Sequence, residues 1–213
     1  MNWTITYYDE SFQAEILALM MIKLEEGDKM PQSSNVSVYQ FKVTLNGSKP
    51  PIWRRIQVRS DTTLYKLHRI LQVVMGWSDY HLHQFVIRGV YYGTPDPEFD
   101  FEIKNEKRVK LKQVISEVKE KFIYEYDFGD SWEHVILLEK ILPLEQDAAY
   151  PICLDGKRAC PPEDCGGILG YYDFLEAIQN PKHPEHDEML EWVGGSFDPE
   201  EFDPNVLNQE IKV

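Results

Sequence analysis

A regular alternation of apolar and polar residues begins at residue 36. From there Tyr39, Phe41, Val43 and Leu45 point one way while Gln40, Lys42 and Thr44 point the other, the period of two expected of a half-buried strand. Asn46-Gly47 opens a turn that Pro50 and Pro51 complete. Ile52, Arg54, Ile56 and Val58 then alternate with Trp53, Arg55 and Gln57, which predicts a hairpin. The period changes next: Leu64, Leu67, His68, Leu71, Val74 and Met75 recur at three and four residues. This predicts a helix over the sheet, with Ser60 or Asp61 placed to cap it and Gly76 to stop it.

Strands resume over His81 to Arg88 and Val90 to Tyr92, and a loop with Pro95 and Pro97 leads to the helical pattern Leu111, Val114, Ile115, Val118. Phe122, Tyr124, Tyr126 and Phe128 alternate strictly, Gly129-Asp130-Ser131 turns the chain, and Trp132 to Ile141 returns as a long strand. Beyond Pro143 come a loop rich in cysteine and proline, helices near Tyr171 to Gln179 and His186 to Trp192, and the acidic tail FDPEEFDPN. The expected fold is α+β: a mostly antiparallel sheet in a roll-like arrangement, with helices packed on it and a helical C-terminal region.

The stretch before residue 36 reads differently. Ser11 to about Leu24 suits one helix, and the breakers from Gly27 to Asn35, Pro31 among them, suit a linker. Residues 1–35 are therefore expected to form an extension and residues 36–213 a single domain. The longest apolar run, Ile16 to Ile22, falls well short of the roughly 18 residues needed to span a membrane. Acidic Asp9, Glu10 and Glu15 precede it where a signal peptide would be basic, so a cytoplasmic location is expected. Three cysteines crowded into residues 153–165 suit reduced thiols or a metal better than a disulfide framework.

Charge is unevenly spread. The chain carries a formal net charge of −14, which opposes nonspecific binding to phosphate backbones. Yet residues 36–76 hold seven basic residues against one acidic, and residues 144–213 hold sixteen acidic residues against four basic. The basic stretch makes Arg54, Arg55 and Arg59 candidate contacts for an anionic partner. Arg54 and Arg55 fall on opposite faces of their strand, however, and pairing with the acidic C-terminal region is the competing reading.

Several segments in order, VYQFKVTLNGSKPPIWRRIQV, HLHQF, YEYDFGDSWEH, CPPEDCGG, GYYDFLEAI and EWVGGSFDPEEFD, resemble the plasmid pRiA ORF-three-like family, whose members are also described as transposon-passenger proteins of TnpR type. The resemblance runs from about Val36 to about Asp203. It implies an α+β domain of roll-like type and an association with mobile elements. It carries over no catalytic residues.

Two clusters of side chains stand out for chemistry. His81 and His83, spaced to share a strand face, with Asp127, Asp130 and His134 around the YDFGDSWEH turn, would supply imidazoles and carboxylates to a divalent metal such as zinc, or to an acid–base pair, if the two strands are neighbours. Under the competing reading Asp127 and Asp130 serve the turn, Trp132 fills the core, and the histidines satisfy buried polar groups. Cys160 and Cys165, spaced as Cys-x4-Cys, offer a zinc knuckle that lacks an obvious second pair. No Gly-Lys-Ser/Thr phosphate loop, Gly-x-Ser-x-Gly or His-Glu-x-x-His is present. The expected function is accordingly a noncatalytic binding module with a protein or nucleic-acid partner, with a metal-dependent hydrolase or nuclease using the His/Asp cluster as the alternative.

Overall fold

A computed structural model of the chain describes residues 36–95, 102–145 and 147–211. The extension expected over residues 1–35 lies outside them. Strands β1 (Ser37–Leu45) and β2 (Trp53–Arg59) form the expected antiparallel hairpin, Phe41 opposite Ile56. Their alternation decides which side of the sheet everything else packs against. Helix α1 (Leu64–Met75) lays Leu64, Leu67, Leu71 and Val74 on that side. Its cap is Thr63, whose hydroxyl accepts the Lys66 N–H at 3.2 Å. Ser60 and Asp61 are committed elsewhere: the Ser60 hydroxyl accepts the Ser37 N–H at 2.9 Å, and Asp61 pairs with Arg59 at 3.0 Å. Gly76 ends the helix at φ +75, a conformation glycine adopts without steric cost.

Strands β3 (His83–Ile87), β4 (Val90–Gly93), β5 (Ile103–Asn105), β6 (Lys121–Tyr126), β7 (Trp132–Pro143) and β8 (Ile152–Lys157) complete one open eight-stranded sheet, ordered β5-β4-β3-β6-β7-β1-β2-β8. The β4–β5 pair is parallel and the other neighbours are antiparallel. The α+β class and the mostly antiparallel sheet are as expected. Along β7, Trp132, His134, Ile136 and Leu138 are buried while the residues between them are not. The opposite face carries a polar lattice in which Gln40 and Arg55 donate to Glu139, and Gln57 donates to Gln40.

The helix expected from Leu111 to Val118 is a single turn, α2 (Leu111–Val114). The chain becomes extended at Ile115, where the buried carbonyl accepts the Tyr39 hydroxyl at 2.9 Å. Helices α3 (Gly167–Gln179), α4 (His186–Trp192) and α5 (Pro204–Glu210) form the helical C-terminal region. Tyr171, Phe174 and Leu175 of α3 join the main core. No helix among the described residues is long and apolar enough to cross a membrane.

Candidate metal centre

The register of β3 against β6 sets His83 opposite Tyr126 and Phe85 opposite Tyr124, on the face that α1 covers. His68 comes down from α1, three residues before Leu71 on the helix's apolar side. The two imidazoles meet face to face, ring centroids 3.4 Å apart and planes within 2°. Each has a carboxylate at its edge. His68 Nε2 lies 2.8 Å from Asp79 Oδ1, and His83 Nε2 lies 2.9 Å from Glu106 Oε2. Glu106 opens the short 3-10 turn Glu106–Arg108, and Asp79 sits in the loop between α1 and β3.

Donors and acceptors fix the protons. Asp79 Oδ1 can only accept, so the single ring proton of a neutral His68 lies on Nε2, and Nδ1 accepts from the buried Tyr124 hydroxyl 2.8 Å away, which itself accepts from Gln72 Nε2 at 2.9 Å. His68 therefore donates its ring proton to Asp79. Burial pushes the His68 pKa down to about 4, with the neighbouring His83 adding to the effect against the pull of Asp79. Burial also holds the Tyr124 phenol well above its ordinary value. A neutral imidazole is the form that binds a metal, and a cation could replace the proton between Nε2 and Oδ1. The Asp79 backbone, in the left-handed region at φ +61, donates to Gln72 Oε1 at 3.0 Å, and Arg69 Nη1 holds Asp79 Oδ2 at 3.1 Å. Ligand atoms of His68, Asp79 and His83 all lie within 4.8 Å of one another. The side chains of His68, His83 and Glu106 are 1%, 10% and 0% exposed against 28% for Asp79, so the cluster opens to solvent mainly at Asp79.

The structure divides the residues expected around the YDFGDSWEH turn. His83 joins His68, Asp79 and Glu106. His81, two residues earlier, turns to Asp127 Oδ2 at 3.7 Å and to Asp164 Oδ1 at 3.1 Å, a second group with ligand atoms within 4.8 Å of one another. Asp127 also serves its turn, where its Oδ1 accepts the Gly129 N–H at 2.9 Å. Asp130 accepts the Gly166 N–H at 3.1 Å and ties the turn to the start of α3. Trp132 is fully buried. So is His134, which lies 5.3 Å from Trp77 and 5.6 Å from Tyr124 between ring centroids, with its pKa pushed down to about 4 by burial.

Neither ligand cluster among the described residues contains a cysteine. Cys160 Sγ accepts from Arg54 at 3.0 Å, and burial raises its pKa. Burial first, and then the charge of Asp130, pushes the Cys165 thiol up to about 12. Arg54 is buried and donates to the carbonyls of Val74, Trp53 and Lys157, which withdraws it from any anionic partner in solvent. Arg55 is engaged by Glu139 and Asp155, and Arg59 by Asp61. Next to the second His/Asp group a cleft of about 390 Å³ opens, framed by Asp164, Asp173, Phe174, Glu185, Met189 and Trp192.

His68, Asp79, Glu106 and Asp164 did not emerge from the sequence as site residues. A signal existed for His68, because a histidine followed four residues later by Gln72 interrupts an otherwise apolar helix face. Glu106 opens a three-residue 3-10 turn and Asp164 lies in a turn, both too short for a period to mark an inward side chain.

The profile of plasmid pRiA4b ORF-3-like proteins matches residues 37–206. The chain belongs to this family. A relative, the uncharacterized protein y4hQ of Sinorhizobium fredii (strain NBRC 101917 / NGR234), is 40% identical over 177 residues, covering 82% of this chain and 91% of that protein. The crystal structure of MM3350, a protein of unknown function from Methanosarcina mazei Go1, superposes with a TM-score of 0.74 at 40% identity. That match covers 80% of this chain and 97% of the other. The segments that suggested the family in the sequence thus belong to a fold shared at that identity.

Proposed function

We propose that this protein is a noncatalytic binding module whose domain is organised by a divalent metal held by His68, Asp79 and His83. The observation that carries this reading is the convergence of a buried and a largely buried imidazole and a carboxylate, their ligand atoms within 4.8 Å, on three separate parts of the chain: α1, the following loop and β3. Nitrogen and oxygen ligands in this number suit zinc and its first-row neighbours. A metal so placed favours the folded state, because the unfolded chain has no preformed site.

The test is metal content and stability measured together. Full-length protein dialysed against zinc should retain the ion, and a chelator should lower its thermal midpoint. Zinc at 100 times its Kd contributes about 2.7 kcal/mol, equivalent to roughly 5–10 °C for a domain of this size. His68→Ala and His83→Ala should abolish both effects, while Cys160→Ser and Cys165→Ser leave them intact. Protein that neither retains zinc nor responds to chelator rules the proposal out.

One observation favours a second reading, a metal-dependent hydrolase. His81, Asp127 and Asp164 form the more exposed ligand group, and Asp164 also lines the 390 Å³ cleft, so an ion there would face a space that admits substrate. That reading requires metal-dependent turnover that His81→Ala removes and His68→Ala does not.

A further inference from the structure

The Glu106 carboxylate is the group in this centre that the protein alone leaves unbalanced. Its side chain is fully buried, and only Oε2 is engaged, by His83; Oε1 is buried without a hydrogen-bond partner. Among the described residues no lysine or arginine pairs with it. The adjacent Lys107 turns its ammonium over the Tyr65 ring, 4.9 Å from the centroid. A buried carboxylate oxygen with no donor carries an uncompensated desolvation cost, which a cation beside it would offset.

Resting on the metal reading above, we infer that Glu106 is the fourth ligand, making the centre a closed site of two imidazoles and two carboxylates for a zinc-type first-row ion. Three features point this way. The unpaired Oε1 is a free ligand atom on a carboxylate already touching His83. The donor set matches four-coordinate zinc chemistry, whereas calcium takes six to eight oxygens and magnesium keeps several waters. Four ligands from the protein leave no position for substrate, so the ion ties α1, the Asp79 loop, β3 and the 3-10 turn together. Parallel rings 3.4 Å apart direct their lone pairs side by side, and Glu106 lies outside the group of ligand atoms within 4.8 Å of one another, so binding must turn at least one imidazole out of the stack and draw the Glu106 carboxylate in with it.

A different role for Glu106 is available: it could accept the His83 Nε2 proton while Nδ1 binds the ion, orienting the ligand from outside the coordination sphere. Cobalt(II) separates the two, because four-coordinate cobalt absorbs strongly in the visible and loses that intensity when water adds. Full-length wild type loaded with cobalt should show the intense bands. Glu106→Gln should weaken them and raise the cobalt Kd by more than the roughly 10- to 100-fold typical of losing an outer partner. A variant that binds cobalt with an unchanged spectrum overturns the inference and leaves the metal reading standing; wild type that binds no cobalt defeats both. Zinc X-ray absorption compares wild type with the same variant. The inference expects a four-coordinate shell with two imidazoles and no sulfur whose fourth, oxygen ligand is lost or replaced in Glu106→Gln; a shell of five or six ligands, one containing sulfur, or one unchanged by Glu106→Gln overturns it.

Discussion

Replacing Tyr124 with phenylalanine removes one oxygen from the base of the histidine cluster and leaves the ring contacts in place. The ring packs 4.9 Å from Phe85 and 5.6 Å from His134, centroid to centroid, and the side chain is fully buried. Its hydroxyl accepts from Gln72 and donates to His68. Without it, two buried polar atoms lose their partner. Each unsatisfied group costs about 1–3 kcal/mol, so Tyr124→Phe should lose about 2–6 kcal/mol. Urea unfolding in the presence of chelator measures this loss without a contribution from metal binding. The control is Tyr65→Phe, a change on a partly exposed ring expected to stay within about 0.5 kcal/mol. Combining Tyr124→Phe with Gln72→Leu should show a coupling of about 0.5–3 kcal/mol, because the second change removes a donor the first has stranded. A Tyr124→Phe stability within about 0.5 kcal/mol of wild type, or a coupling of zero, would refute the hydrogen-bond assignment and the His68 tautomer that goes with it.

Two further outcomes follow from other parts of the fold. His134 has a folded-state pKa near 4 against an ordinary value of 6.5, so between those pH values the unfolded chain binds the extra proton. Its contribution is present above about pH 6.5 and is lost as pH falls toward 4, about 3 kcal/mol at roughly 1.4 kcal/mol per pKa unit. His134→Gln should flatten the plot of stability against pH across that window, and an unchanged slope would contradict the assignment. Gly167 has φ +69, and a Cβ there would overlap the Asp130 carbonyl oxygen. Gly167→Ala should therefore cost at least about 2 kcal/mol by chemical denaturation, and a neutral result would mean that α3 does not dock on the turn as described.

Alternation made the sheet readable wherever one face is buried and the other wet. It marked the hairpin of Phe41 and Ile56 and the strands through Tyr124 and Ile136 because each fully buried apolar side chain there is flanked by polar or only partly buried residues. It failed at β8, an edge strand whose one fully buried side chain is Cys153, and at the three-residue β5, too short to show a period. The Leu111 to Val118 pattern overstated a helix because the Tyr39 hydroxyl holds the Ile115 carbonyl in extended chain. The site was half legible. His83 could be singled out, but spacing alone joined it to His81, which precedes β3 and turns to different carboxylates. Asp79 and Glu106 lie 4 and 23 residues from His83 in loop and turn, where sequence gives no facing direction.

Anomalous diffraction from crystals of the full chain grown with zinc is the most direct test of the central claim. Data collected on either side of the zinc absorption edge should place one strong difference peak within bonding distance of His68, Asp79 and His83, with the imidazoles no longer stacked face to face. A peak at Cys160 and Cys165 or at His81 and Asp164 alone, or no peak at saturating zinc, would contradict it.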